Sequence, residues 1–383
     1  MTTQTNPLPL SERLALALHS ATRADVIAML AGDDNTLVRL TVAQNPATPS
    51  NTLNTMVTDD QLAVRIAVAQ NPSADEATLY QLAHDCDGRV REVVARHPSA
   101  NEETLHKLSM DGSDWVRVAV APHRSTPAAT LAVLASDRDS DVRDAVARHP
   151  STPADTLAKL ASDNQRGVRE AIASHHSTPA DALTLLASDS RERVREAVAR
   201  NPAAPAAALA LLAHETYWRT REDVARNPIA PADTLATLAS DGSEFVRATA
   251  ARNPSTPRAT LEKLASDVVW WVVTAVADNP STPHDTLTLL AHDFNECVRR
   301  AVALNPSTPA TTLALLASDA NGWVRQAVAR NPAASAATLT LLAIDNEWWV
   351  RYPVAHNPST PADALALLAS DCVEWVREAA ARS

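Results

Sequence analysis

Four histidines, His97, His123, His149 and His175, are the residues of this chain that most resemble a metal-ligand set. Imidazole is the commonest protein ligand for transition metals. Their spacing defeats that reading, because each lies 26 residues from the next. Residues one helix layer apart stand about 8–10 Å from each other, whereas a metal–nitrogen bond is about 2 Å. Asn holds the same place elsewhere in the chain, so a C-terminal helix cap is the expected role. Catalytic patterns are equally absent: there is no Gly-rich phosphate loop, no His-Glu-x-x-His and no Cys-x-x-Cys. Carboxylates recur in columns, so no unique acid–base pair stands out. No catalytic residue, no metal and no cofactor is expected, and the chain reads as a non-enzyme. Cys86, Cys297 and Cys372 lie far apart in sequence. A disulfide needs Cα atoms within about 7 Å, so free thiols and a reducing, cytoplasmic compartment are expected.

The chemistry that remains is recognition by aromatic side chains, and a strict repeat determines where those side chains fall. An Asn-Pro or His-Pro step recurs every 26 residues from Pro46 to Pro358, with Arg124 and His176 filling two gaps. With this anchor as position 0 and a leading unit at Ser20, the chain holds about fourteen units. All eight Trp occupy position 16 or 17: Trp115, Trp218, Trp270, Trp271, Trp323, Trp348, Trp349 and Trp375. Tyr217, Phe245 and Phe294 fall at positions 14 to 17, and Tyr352 at position 20. The same block also accepts Asp141, Gly167, Arg89 and Arg193, which a packing position in a strict repeat rarely would. Trp and Tyr are favoured at interfaces for their large apolar body and polar handle.

Two short helices must carry these residues. The first opens at Thr-Pro, as at Thr152-Pro153 and Thr308-Pro309, with Thr expected as N-cap and Pro as first helical residue. Leu157 and Leu160, or Leu313 and Leu316, give it an apolar stripe. The second is Val-Arg-x-Ala-Val-Ala, whose Val and Ala repeat at i, i+3 and i+4. It ends before the next Asn-Pro, because Pro disfavours helical geometry in the residue before it. Two helices of about ten residues cannot bury a core alone, but stacked units can. Positions 17, 20 and 24 share the helix face opposite the Val/Ala stripe, so stacking would line them into one strip. Thr274, Arg300, Gln326 and Tyr352 represent position 20.

The run Leu-x-x-Leu-Ala-x-Asp, Val-Arg-x-Ala-Val-Ala, Asn-Pro-x-Thr-Pro resembles the leucine-rich repeat variant family over about residues 20–383. The resemblance implies alternating α- and 3₁₀-helices in a right-handed superhelix, so a 3₁₀ element is expected in each pair. Either the first helix would be short or partly 3₁₀, or part of the second would be. The iron–sulfur cluster of a founding member is not carried over, since residues 1–19 contain no Cys. The Asp at position 13 and Arg at position 19 also resemble the HEAT repeat and imply a structural polar ladder, exemplified by Asp137, Arg143, Asp163, Arg169, Asp319 and Arg325. The fold class is therefore all-α, a right-handed α-solenoid of 26-residue two-helix repeats: residues 1–19 form a capping helix (Ser11–His19) and residues 20–383 a single solenoid domain.

Two local rules break near the densest aromatics. Val273 replaces the ladder Arg, so Asp267 is expected to lose its partner. Pro353 is expected to interrupt a second helix, at about 3 kcal/mol relative to Ala. Together they mark residues 268–352 as the expected hot zone. The expected partner is a protein or peptide held on a concave strip. Its ligand-binding residues would be Trp115, Tyr217, Trp218, Phe245, Trp270, Trp271, Thr274, Phe294, Arg300, Trp323, Gln326, Trp348, Trp349, Tyr352 and Trp375. Nucleic-acid binding is the alternative, since HEAT-like DNA glycosylases use Trp and Asp on a concave face. A formal net charge of −11 argues against it. Self-association is a third reading. The N-terminus shows no signal peptide, and no apolar run is long enough to span a membrane.

Overall fold

The computed structural model describes residues 8–382. Among them are twenty-nine α-helices and no strand. The capping helix spans Leu10–Leu18; residues 1–7 of the segment assigned to it lie outside the described residues. Contacts divide the chain into two compact units, Met1–Ala182 and Leu183–Ser383. The expectation was one domain from residue 20 onward. The division falls inside the helix Ala180–Leu186, and the 26-residue period crosses it without insertion.

Within each unit the helices alternate in length. First helices such as Ala154–Leu160 have 7 residues, and second helices such as Ser140–Arg148 have 9. Both are α-helical, and i→i+3 bonds close the turns between them. After Glu76–Leu82, the amides of His84 and Asp85 donate to Gln81 and Leu82 carbonyls at 3.0 Å. Second helices pack on the second helices of neighbouring repeats, as Glu244–Arg252 does on Trp270–Asp278. The core consists of the columns the periodicity singled out: Leu235, Leu238, Val272 and Val276 are all fully or almost fully buried. Truncating one such Leu to Ala would cost about 2–5 kcal/mol.

The start of the first helix differs from expectation. Pro153 occupies the N-cap position without a side-chain cap, and the helix begins at Ala154. The hydroxyl of Thr152 turns back instead and donates to the carbonyl of Val146 at 2.6 Å. Thr thus satisfies one of the orphan carbonyls of the preceding helix and does not cap the following one. Side-chain caps appear in three repeats whose position 3 is Asp, Asn or Ser and not Pro. Asp75 accepts from the amide of Thr78, Asn101 from Thr104 and Ser335 from Thr338.

The last residue of each repeat ties one repeat to the next. Asn279 donates through Nδ2 to the carbonyls of Ala251 and Asn253, at 2.7 and 2.9 Å, and its Oδ1 accepts from the Ser281 amide. Histidine replaces Asn with the same logic in the first unit. His97 bonds through Nε2 to the Asn71 carbonyl at 3.1 Å, and its Nδ1 accepts from the Ser99 amide at 3.1 Å. His123, His149 and His175 repeat the pattern, each on the carbonyl of the previous histidine. An Nδ1 that accepts is unprotonated, so the geometry holds the His97 and His175 rings neutral. Burial pushes His97 and His175 below the ordinary imidazole range. The carbonyl bond opposes that shift only in part, and a neighbouring histidine adds to it.

The polar ladder joins the Arg of one repeat to the Asp of the next. Arg143 donates from Nε to Asp163 Oδ2 at 2.6 Å and from Nη2 to Oδ1 at 3.0 Å. Its Nη1 donates to the carbonyl of Asp137, in its own repeat, at 2.8 Å. Asp137 in turn receives Arg117, and Asp163 Oδ1 caps the amide of Gln165. Arg169 Nη1 donates to the Asp163 carbonyl. In the second unit Arg299 pairs with Asp319, and Arg325 with Asp345, at 2.6 Å each. Burial pushes the Asp319 carboxyl up. The Arg299 guanidinium and the Asn321 amide more than offset this and hold it below the ordinary carboxylate range.

Candidate recognition surface

The aromatic residues sit at the start of the second helices, and the distance between repeats decides how they meet. An aromatic at position 17 rests on position 16 of the preceding repeat. Trp375 meets Trp348 edge-on, with ring centroids 5.8 Å apart. Phe245 stacks on Trp218 at 5.3 Å. At two of these seats the residue is glycine, and only the one under Trp115 is tight. A Cβ on Gly88 would lie 3.2 Å from Trp115 Cζ2, and one on Gly322 would lie 3.5 Å from Trp349 Nε1.

The eight tryptophans therefore divide. Trp115, Trp323 and Trp375 are 50%, 55% and 62% exposed, and Trp270 and Trp348 are also exposed. Trp218, Trp271 and Trp349 are half-buried. Trp271 and Trp349 pack against the hydrophobic core of the second unit, and their indole Nε1 atoms are buried without a hydrogen-bond partner. Both were expected as ligand anchors; each also packs on the core, with the rest of its ring at the surface. Phe245, Phe294, Tyr217 and Tyr352 are exposed, and Phe294 most of all at 88%. The Arg219 guanidinium lies 5.5 Å from the Trp218 ring and 5.9 Å from Tyr217, within cation–π range. Thr274 is half-buried and spends its hydroxyl on the Trp270 carbonyl at 2.9 Å, whereas Arg300 is exposed.

The densest cluster lies at the end of the second unit. Trp323 stacks on Trp349 at 6.2 Å, Trp349 meets Trp348 edge-on at 6.1 Å, and Trp348 meets Trp375. Beside them is a hollow of about 390 Å³ lined by Trp348, Trp349, Tyr352, Trp375, Gln326 and Ala379, with Arg330, His356, Glu378 and Arg382 as its polar members. None of these four polar residues was singled out from sequence. Arg330, His356 and Arg382 hold position 24 and Glu378 position 20, both on the helix face that the periodicity lines into the strip.

The two broken rules resolve differently from expectation. Asp267 does not lose its partner: Arg247, one repeat earlier, donates to it at 2.6 and 3.1 Å. Because the ladder runs forward, Val273 removes the rung at Asp293. The Asp293 side chain keeps only the Asn295 amide, at 2.8 Å. Nor does Pro353 interrupt its helix, which runs unbroken over Trp348–His356. Pro lacks the N–H that would bond the Trp349 carbonyl four residues earlier. Gln326 of the preceding repeat supplies that bond from Nε2 at 3.0 Å. Gln326 was expected as a surface contact; it is only 7% exposed, and its amide nitrogen is committed to this repair.

Among the described residues, no group of three His, Cys, Asp or Glu could hold a metal ion. No described helix is long and apolar enough to cross a membrane. The three cysteines are free and exposed.

Comparison with known proteins agrees with the repeat pattern. The model of the leucine rich repeat variant family matches residues 141–164 and 244–268, which bears out the resemblance read from the repeat unit. A solved structure described as a leucine-rich repeat variant with a novel repetitive protein structural motif is 25% identical. It covers 57% of this chain and 87% of its own, with a TM-score of 0.44. The karyopherin Kap121p bound to Pho4p is 10% identical, covering 98% of this chain and 54% of its own, with a TM-score of 0.40. The same karyopherin bound to Nup53p covers 97% of this chain and 49% of its own, at 10% identity and a TM-score of 0.40. The chain thus spans about half the length of that karyopherin. No curated protein sequence matches it.

Proposed function

We propose that this chain is a non-enzymatic repeat scaffold that binds a protein or peptide through the aromatic strip of its second helices. The observation that carries the reading is the exposed pair Trp348 and Trp375, which line a hollow together with Tyr352, with exposed Trp323 stacked on the neighbouring Trp349. An apolar patch of this kind is a liability unless something covers it. Nucleic acid fits less well. The position-19 arginines that would meet phosphates are committed to carboxylates, as Arg299 is to Asp319, and the net charge is −11. The free, exposed thiols suit a reducing, cytoplasmic setting.

The test is affinity capture from a lysate of the source cell, comparing wild type with Trp270→Ala/Trp323→Ala/Trp348→Ala/Trp375→Ala. The half-buried Trp271 and Trp349 are retained so that the fold survives, as unchanged helical circular dichroism would show. A partner held by the wild type and lost by the variant is the expected result. Equal capture by both refutes the strip as the binding surface. Light scattering over a range of concentrations distinguishes this from self-association, which would appear as a mass that rises with concentration.

A further inference from the structure

The hollow at the end of the second unit carries a charge signature that its aromatic residues alone do not explain. In five repeats the arginine at position 24 is neutralised by an acid four residues earlier on the same helix; Arg252, four residues after Ala248, has no such acid, and neither does Arg330. Arg96 is held by Glu92 at 3.0 Å, Arg148 by Asp144 at 2.8 Å and Arg200 by Glu196 at 3.5 Å. Beside the tryptophan cluster that acid is missing. Arg330 stands one turn from Gln326, whose amide nitrogen is taken by the Trp349 carbonyl, and Arg330 has no ion pair among the described residues. His356 stands one turn from Tyr352, so no acid occupies that place either. The only carboxylate lining the hollow, Glu378, already faces Arg382 at 3.4 Å. In a chain of net charge −11, this apolar hollow therefore has a basic rim with an uncompensated guanidinium.

We infer that the hollow binds an acidic peptide segment bearing a leucine or an aromatic residue, with the apolar side chain against Trp348, Tyr352 and Trp375 and a carboxylate on Arg330. The inference rests on the scaffold reading above and adds the chemistry of the partner. A guanidinium–carboxylate pair gives charge-assisted, two-pronged hydrogen bonding. Next to a water-excluding aromatic wall such a pair is screened less than on open surface. The opposite arrangement, a partner lysine caged by the three rings, would set its ammonium beside Arg330 and Arg382 with Glu378 already engaged.

The test uses the full chain and three short fluorescein-labelled peptides. They share leucine and phenylalanine positions and carry Glu, Gln or Lys at the others. Binding is read by anisotropy at low and high salt. The Glu peptide is expected to bind about tenfold more tightly than the Gln peptide at low salt, an advantage that shrinks with salt. Arg330→Gln, a change at an exposed side chain, is expected to remove most of that advantage. Trp348→Ala/Trp375→Ala is expected to weaken the Glu and Gln peptides alike. The inference is overturned if Glu and Gln peptides bind equally, if the Lys peptide binds best, if the Glu preference survives in Arg330→Gln, or if no peptide binds saturably. If the lysate partner still depends on the tryptophans in any of those cases, only the acidic class falls and the scaffold reading stands.

Discussion

Gln326→Ala is expected to destabilise the protein by an amount that depends on a residue 27 positions away, Pro353. The helix Trp348–His356 lacks one amide donor at Pro353, and the Trp349 carbonyl receives Gln326 Nε2 at 3.0 Å in its place. Gln326 is only 7% exposed, so water cannot simply take over when the amide is removed. A buried carbonyl left without a partner costs about 1–3 kcal/mol. In a Pro353→Ala background the amide of residue 353 closes the ordinary helical bond, and the carbonyl no longer needs Gln326. The same truncation should then cost well under half as much, giving a coupling of about 1–2 kcal/mol between the two sites. Pro353→Ala alone should be neutral or stabilising, since an unrepaired helical Pro costs about 3 kcal/mol and the repair is already in place. The four proteins of the cycle would be compared by urea unfolding, with amide exchange over residues 348–356 as the local readout. Additive effects, within about 0.5 kcal/mol, would refute the idea that Gln326 is present to complete this helix.

Three further outcomes are expected. Acidification should weaken the first unit before the second, because His97 and His175 are held neutral there, whereas Asn fills that column at residues 227–357. Their folded values lie below 6.5, so the stability they confer is complete above pH 6.5 and is lost as pH falls through those values. The loss is at most about 1.4 kcal/mol per histidine per pH unit; the ladder carboxylates Asp111, Asp137 and Asp163 are held below their ordinary range and do not titrate in this window. Unfolding curves at neutral pH and at about pH 5.5 check this, and a His97→Asn/His175→Asn variant that keeps the full acid sensitivity would refute it. Arg325→Met strands Asp345 with only the Glu347 amide at 2.9 Å. It should cost about 3–5 kcal/mol in chemical unfolding, part of which Asp345→Asn restores; a loss below about 1 kcal/mol would make the ladder decorative. Trp349→Ala should destabilise by about 2 kcal/mol or more because that indole packs on the core, while Trp375→Ala, at 62% exposed, should stay within about 0.5 kcal/mol. Equal melting shifts for the two would contradict the division of the tryptophans.

What could be read along one repeat was legible. Period, helix positions, the Leu and Val core columns and the capping role of the Asn/His column follow from propensity and spacing, and the structure carries all of them. What depends on the offset between repeats was hidden. The Arg at position 19 reaches forward to the next Asp and its backbone bond reaches back, so Val273 deprives Asp293 and leaves Asp267 paired. A column pattern shows that Asp and Arg belong together but not in which direction they pair. Pro353 and Gln326 each looked like an isolated departure, and only their juxtaposition shows that one compensates the other. The Thr of Thr-Pro misled for a related reason. Its hydroxyl has a choice between capping forward and closing the helix behind it, and Pro at the cap position leaves the backward carbonyl as its partner.

The seating of position 17 on position 16 of the preceding repeat bears on how such a chain can be recombined. A segment excised from Pro to Pro separates each ring from its seat. A duplicated copy of residues 332–357 would place its own counterpart of Trp349 over Trp348, where the original rests over Gly322. A cassette cut between positions 16 and 17 would divide the second helix itself. Neither boundary yields an interchangeable part, so shuffled or grafted repeats would have to be chosen as matched neighbours, with the residue to the left of the seam selected for the ring to its right.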